Sequence, residues 1–354
     1  MTGVQTCALR STESEKLEIQ VLDARKRILG VQHPHTILAM DNLAATLRSL
    51  GKYTEAEKLE VQVLDARKRI LGMEHPDTIV TMGTLACAYR DLGKYAEAEK
   101  LEIQVLDARK RILGVEHPDT IIAMGNLAST YYSLGKYTES EKLEVQVLDA
   151  RKRILGVENL DTIRAMGNLA MSYCSLGKYA ESEKLGIQVL DSRRRILGVD
   201  HPDTIRAMAN LAVTYESLGR YPEAEKLEIQ VLDLRKKILV VYHPDTIRAM
   251  ANLAATYYSL GKYTEAEELE IQVLDARNRI LGVQHPDTIL AMEKLAATLS
   301  SLGKYKEADK LVIQAQEVKS SVLEVTSHYA IATTANVQEA QKSSTMKFNT
   351  KGVY

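Results

Sequence analysis

A 42-residue period constrains this chain more than any other feature. The motif Leu-Gly-(Lys/Arg)-Tyr places its glycine at Gly51, Gly93, Gly135, Gly177, Gly219, Gly261 and Gly303, and every interval is 42 residues, without insertion or deletion. A fixed spacing of this size marks a solenoid, in which each unit buries its apolar face against its neighbours and no closed core is needed. The length of 354 residues therefore says little about the number of globular domains.

One unit reads as two helices. From about Thr78 to Leu92, the residues Ile79, Met82, Leu85, Ala86, Tyr89 and Leu92 recur at steps of three and four, the period of one helix face. Pro76 suits a first helical turn, and Asp77 suits the positive end of the helix. Gly93 stops the helix, because a left-handed cap favours a residue without a side chain. The second helix spans about Ala96 to Leu113. Ala98, Leu101, Val105, Ala108 and Ile112 form one stripe, which Ile103, Leu106 and Leu113 widen. A helix apolar over so wide an arc is expected to be covered on two sides. Its acids (Glu97, Glu99, Glu102) come early and its bases (Arg109, Lys110, Arg111) late, complementing the helix dipole.

Seven such pairs fill residues 31–324, with first helices starting near Thr36, Thr78, Thr120, Thr162, Thr204, Thr246 and Thr288. Residues 1–10 fit no part of the repeat. Up to Leu9 they resemble a translated sequencing adapter, so they read as a non-native addition. At Thr12 the repeat enters in mid-unit. Residues 11–30 thus read as an orphan second helix, and the natural chain is expected to continue upstream. Past Gly303 the pattern decays. Residues 325–343 read as a degenerate, polar capping helix, and residues 344–354 as a disordered tail.

Composition narrows the function. Lys and Arg number 46 against 47 Asp and Glu, a balance that argues against a nucleic-acid binder with a broad basic face. No apolar run approaches the ~20 residues needed to span a bilayer, and no secretory signal stands at the N-terminus. Cys7, Cys87 and Cys174 share no repeat position and no metal-ligand spacing; they read as reduced thiols of a cytoplasmic protein. The His-Pro pairs at His33, His75, His117, His201, His243 and His285 recur once per unit, each a layer of helices from the next. That is too far apart to share a metal with bonds of ~2 Å, so they read as turns. Gly51-Lys52-Tyr53-Thr54 lacks the G-x-x-x-x-G-K-[ST] pattern of a phosphate loop. No nucleophile stands out beside a base, so neither catalysis nor a cofactor is expected.

Met124, Leu127, Ala128, Tyr131, Gly135, Tyr137 and Ser140 (Ala98 one unit earlier) carry a resemblance to the tetratricopeptide consensus. The basic form of that repeat has 34 residues. The longer unit here, with QVLDARKRILGxxHPDT, resembles the kinesin-light-chain variant, and such uniform arrays resemble the C-terminal regions of signalling NTPases of the immune-receptor-like type. The likeness covers residues 12 to about 323. It implies an all-α solenoid, a right-handed superhelix of antiparallel helix pairs whose concave groove binds extended peptides. One departure stands out. Where the family usually has an aromatic on the second helix, this chain has Glu60, Glu102, Glu144, Gly186, Glu228 and Glu270. Either the packing differs there or that face is more exposed.

Internal copies can also be compared with one another. Ile79, Met82, Leu85, Ala86, Leu92, Gly93 and Tyr95 have identical equivalents in every copy, whereas four first-helix positions vary. The first reads Leu38, Val80, Ile122, Arg164, Arg206, Arg248, Leu290. The second reads Asp41, Gly83, Gly125, Gly167, Ala209, Ala251, Glu293. The third is Ala45, Cys87, Ser129, Met171, Val213, Ala255, Ala297, and the fourth is Arg48, Arg90, Tyr132, Cys174, Glu216, Tyr258, Ser300. Spacings of three, four and three put them on one narrow helical stripe. By the resemblance, this stripe lines the groove.

Two readings compete. Exposed positions drift, or the stripe is a diversified binding surface. The second is favoured because exposed second-helix positions such as Glu97, Glu99 and Lys100 hardly drift. Along the stripe, Asn42, Asn126, Asn168, Asn210 and Asn252 recur at one position. Their amides either hold a peptide backbone or bond to neighbouring helices. Arg164, Arg206 and Arg248 form a second ladder suited to carboxylates, with Tyr132 and Tyr258 nearby as stacking area. The expected function is a non-catalytic interaction scaffold that binds a partner protein or peptide, with an acidic segment on the Arg ladder. The alternative is a structural array that self-associates through the exposed apolar face of its orphan N-terminal helix.

Overall fold

The computed structural model describes residues 3–321, with side-chain surroundings from residue 13 onward. Among these residues every regular element is an α-helix. The order is α1 (Gly3–Leu29), then pairs α2 (Pro34–Ser49) and α3 (Tyr53–Leu71), α4 (Pro76–Asp91) and α5 (Tyr95–Leu113), α6 (Pro118–Ser133) and α7 (Tyr137–Leu155). Next come α8 (Leu160–Ser175) and α9 (Tyr179–Leu197), α10 (Pro202–Ser217) and α11 (Tyr221–Ile238), α12 (Pro244–Ser259) and α13 (Tyr263–Leu281). The last pair is α14 (Pro286–Ser301) and α15, residues 305–321. The seven expected pairs are present, with ends within about two residues of the sequence reading. The orphan helix starts earlier than expected, since α1 takes in residues that fit no part of the repeat. The expected cap (325–343) and tail (344–354) lie outside the described residues.

The chain divides into two compact units, Met1–Ser192 and Arg193–Tyr354. In the first, each helix from α1 to α7 packs against its successor, and in the second the same holds from α10 to α13. Four of the residues identical in every copy lie in the core: Ile79, Met82, Leu85 and Ala86 are at most 3% exposed.

Each first helix begins on a side-chain cap. In α4 the N-cap is His75, whose Nδ1 accepts from the Asp77 N–H at 3.2 Å, and Pro76 supplies a first-turn residue that has no N–H to satisfy. Asn159, the one departure from the His-Pro row, does the same work with Oδ1 accepting from the Asp161 N–H at 2.8 Å. The histidines are thus helix caps. At the other end the Lys94 N–H reaches the Tyr89 carbonyl at 2.8 Å and the Gly93 N–H reaches Arg90 at 2.9 Å, with Gly93 at φ +71°. This closing motif needs the left-handed region, which explains the invariant glycine.

One expectation is corrected, and one pair of alternatives is decided. Ile103, Ile112 and Leu113 are 37–48% exposed, so the second helix is not covered on both sides along its length. First helices have 16 residues and α5 has 19, so at about 1.5 Å per residue the last turn overhangs its neighbours. Glu60, Glu102, Glu144, Glu228 and Glu270 are only 1–6% exposed, so of the two readings of that departure the packing differs and the face is not open.

Candidate functional site

The variable stripe faces solvent. In no copy is any of its four positions buried, although each lies one turn from a core residue. One of the constant second-helix positions has a structural reason for its constancy. Glu99 is half-buried, and both its carboxylate oxygens accept from Lys136 Nζ of the following pair, at 2.6 and 2.8 Å. Glu57 with Lys94, Glu141 with Lys178, Glu225 with Lys262 and Glu267 with Lys304 repeat the bridge. Those glutamates are fixed because they tie successive pairs together. A second ladder does the same: Arg109 Nη1 donates to the Asp119 carbonyl at 2.8 Å, and Arg151 to Asp161 at 2.8 Å.

In the first unit the stripe opens into a cavity of about 350 Å³. Arg90 of α4, Asn126 and Ser129 of α6, and Arg164 and Asn168 of α8 line it, while Glu144 and Arg151 of α7 form its floor. Gly125 contributes no side chain, and a Cβ placed there would meet nothing within 4 Å, so the cavity stays open at that point. Four of the sequence-derived residues (Arg90, Asn126, Arg164, Asn168) are thereby brought together. Arg164 is held by Asp161 at 2.7 Å, one turn earlier. Burial, and then the Arg164 charge, hold the Arg151 guanidinium below its ordinary value, and burial pushes the Glu144 carboxyl up to about 7. Near neutral pH the cavity therefore presents three guanidinium groups against a half-protonated carboxyl.

In the second unit Arg206 and Arg248 face a cavity of about 340 Å³ with Arg235, His243 and Asp245. Both ladder arginines pair with the aspartate three residues earlier, Asp203 and Asp245. The cavity is roomy because α11 ends early. Where most second helices stop at a glycine with φ near +85°, this one has Val240, which the left-handed region disfavours; the helix ends at Ile238 and Leu239 turns extended. Smaller clefts of about 80 and 210 Å³ occupy the equivalent place beside Ile112 and Ile280.

The other candidates are dispersed. Among the described residues none of the amides of Asn42, Asn126, Asn168, Asn210 and Asn252 makes a side-chain hydrogen bond, although all are exposed or half-buried. Tyr132 and Tyr258 line neither cavity. Their hydroxyls accept from Ser175 (3.1 Å) and Ser301 (3.4 Å), and their rings meet Tyr137 and Tyr263 edge-on. Arg48 and Arg90 reach inward to the buried acids Glu60 and Glu102, at 3.3 and 3.5 Å. Glu216 accepts from Thr256 at 2.6 Å. Sequence reasoning missed the five buried glutamates as part of the site. The available signal was that each stands twelve residues after the fourth stripe position.

Among the described residues no three His, Cys, Asp or Glu groups are placed to hold a metal ion, and no helix is long and apolar enough to cross a membrane. Cys87 and Cys174 form no disulfide. What the fold and the site define is a repeat scaffold of helical hairpins with a variable, solvent-facing stripe. Tetratricopeptide repeat profiles match residues 10–35, 36–77, 61–111, 89–153, 161–237, 224–279 and 245–321. The chain belongs to the tetratricopeptide repeat family, whose fold generally mediates protein–protein interaction and is typically non-catalytic.

Comparison with curated proteins returned no match. Among solved structures, kinesin-light-chain, nearly identical TPR-like repeats of Podosopora anserina are 29% identical, cover 59% of this chain and 99% of that one, and give a TM-score of 0.51. The tetratricopeptide sensor protein of the STAND signal-transduction ATPase class from Pyrococcus horikoshii is 15% identical (89% of this chain, 49% of that one, TM-score 0.59). The apo quorum sensor NprR of B. thuringiensis is also 15% identical (88% and 94%, TM-score 0.56). At such identities the last two show the fold alone.

Proposed function

We propose that this array captures a partner polypeptide along the stripe of its first helices, and that the segment captured is acidic. The observation that carries this reading is the clustering of arginines at the two cavities. Arg90, Arg151 and Arg164 surround one, Arg206, Arg235 and Arg248 the other, and the variable positions supply most of them. Guanidinium groups bind carboxylates in two-point fashion, and the exposed i,i+3 pairs to Asp161, Asp203 and Asp245 are weak enough to yield to a ligand carboxylate. The unbonded asparagine amides would hold the backbone of an extended chain whatever its sequence. In a larger signalling protein the array would serve as the sensing arm, the place that such repeats hold in the Pyrococcus ATPase.

A labelled, capped decapeptide rich in glutamate, with a glutamine copy as control, tests this by fluorescence anisotropy. Arg206→Glu with Arg248→Glu should weaken capture of the glutamate peptide by about tenfold or more, since charge-assisted hydrogen bonds contribute about 1.5–3 kcal/mol each. Helical content and melting should stay unchanged, because both arginines are exposed. Capture that survives this double reversal refutes the acidic-segment reading.

A second reading has its own support. Val21 of α1 is 44% exposed, whereas its counterparts Val63, Val105, Val147, Val189, Val231 and Val273 are 0–4% exposed, and Leu17 beside it is 62% exposed. This apolar face would pair two copies of the chain. Sedimentation should then show dimers at tens of micromolar that Leu17→Glu with Val21→Glu converts to monomers. A monomeric wild-type chain at that concentration removes the reading.

A further inference from the structure

The repeats carry a built-in comparison between pairs whose buried glutamate meets an arginine and one pair where a second acid stands in the arginine's place. In the first two pairs a buried second-helix glutamate is met by an arginine of its own first helix, twelve residues earlier. Arg48 Nη1 lies 3.3 Å from Glu60 Oε1, and Arg90 Nε lies 3.5 Å from Glu102 Oε1. The same two positions of the α10–α11 pair hold Glu216 and Glu228, so a second acid stands where the cation belongs.

Glu228 is 3% exposed, and, as at Glu102, neither of its carboxylate oxygens has a hydrogen-bond partner; what Glu102 has and Glu228 lacks is an arginine at ion-pair distance. Thr256, on α12, is close to both acids, but a hydroxyl has one proton, and Thr256 donates it to Glu216 Oε1 at 2.6 Å. The other charges facing the pair are Glu225 on α11, which adds repulsion at Glu228, and Lys294 on α14, which acts on Glu216. Lys294 forms no ion pair with either acid. A buried carboxylate with no partner is costly, so Glu228 holds its proton to about pH 8, and a cation set beside it would let that proton go.

We infer that Glu216 and Glu228 form a notch in the stripe that takes the guanidinium of an arginine side chain from a bound polypeptide, in the place that Arg48 and Arg90 fill from within. Glu216 is half-exposed on the stripe and Glu228 is buried on the partner helix, the same pairing of exposures as Arg48 with Glu60. A planar guanidinium offers donors on several edges, enough to reach both carboxylates at once. Arg206 and Glu216 are ten residues apart on α10, about 15 Å along the helix. The notch thus deepens the reading above: the captured segment carries acids over the arginines and one arginine some four or five extended residues further on.

The test needs no partner polypeptide. N-acetyl-arginine amide is titrated into the full chain and compared with its neutral isostere N-acetyl-citrulline amide. The glutamate side-chain carboxyl ¹³C resonances are followed from pH 5 to 9, with Glu228 assigned through Glu228→Gln. Saturating arginine probe should lower the ionisation midpoint of Glu228 by about one to three pH units, and citrulline should leave it in place. Glu216→Arg copies the arrangement of the first two pairs; it should fold and abolish the response. Arg206→Glu with Arg248→Glu should preserve it, so acidic-peptide capture that survives this double reversal, alongside an intact arginine response, condemns the acidic-segment reading alone. A Glu228 resonance that ignores the arginine probe, or answers both probes equally, overturns the notch.

Discussion

Glu228→Gln should stabilise the fold at pH 8 and above by roughly 2–4 kcal/mol, and should abolish most of the loss of stability that the wild-type chain shows between pH 5 and pH 8. Burial pushes the Glu228 carboxyl up to about 8, and Glu216 and Glu225 add to the effect, against an ordinary value near 4.5 in the unfolded chain. Between those two values the folded state holds a proton that the unfolded state has released. Stability therefore falls as pH rises through this window and is complete below it. Glutamine keeps the shape and removes the charge. Glu144, pushed up to about 7, adds a parallel loss over a narrower range. Glu60→Gln is the instructive control: burial raises the Glu60 carboxyl too, but Arg48 opposes it and would be stranded by the change, so the gain should be smaller. Urea unfolding at five pH values measures all three. Parallel wild-type and Glu228→Gln curves would show that Glu228 is ionised in the folded chain.

Most of the fold was legible because the period itself encodes it. Gly93 and its equivalents marked helix ends, and they sit at positive φ, as the sequence required. The invariant Ile79, Met82, Leu85 and Ala86 announced the core and are buried. What periodicity cannot show is relative length. The overhang that exposes Ile112 and Leu113 depends on a 19-residue helix lying beside 16-residue ones.

The site was legible in outline only. The stripe positions were found by variation between copies, and four of the residues named from them share one cavity. The buried glutamates were the harder part, because a carboxylate in a helical pattern reads as surface. Their role depends on who stands twelve residues earlier on the other helix, a relation across the pair that no single-helix pattern contains. The constancy of Glu99 was likewise misread as undisturbed surface, since its partner Lys136 belongs to the next pair.

The division into a fixed frame and a variable stripe predicts opposite consequences for one chemical change made at two places. Met208 is a frame residue of α10, 0% exposed, with an identical methionine in every copy. Met208→Ala deletes a buried side chain where α10 packs against α11, and should cost about 2–5 kcal/mol. Met171 is a stripe residue of α8, half-exposed, and its counterparts include Ala45, Ser129 and Val213. Met171→Ala should cost less than about 1 kcal/mol, since three of the seven copies already carry alanine there. Urea unfolding of the two variants decides the matter. The two effects should differ at least twofold, because a solenoid has no central core to spread the loss and each pair depends on its immediate neighbours. Equal costs would mean that the stripe bears structural load, and that its variation reflects packing between pairs and not the recognition of a ligand.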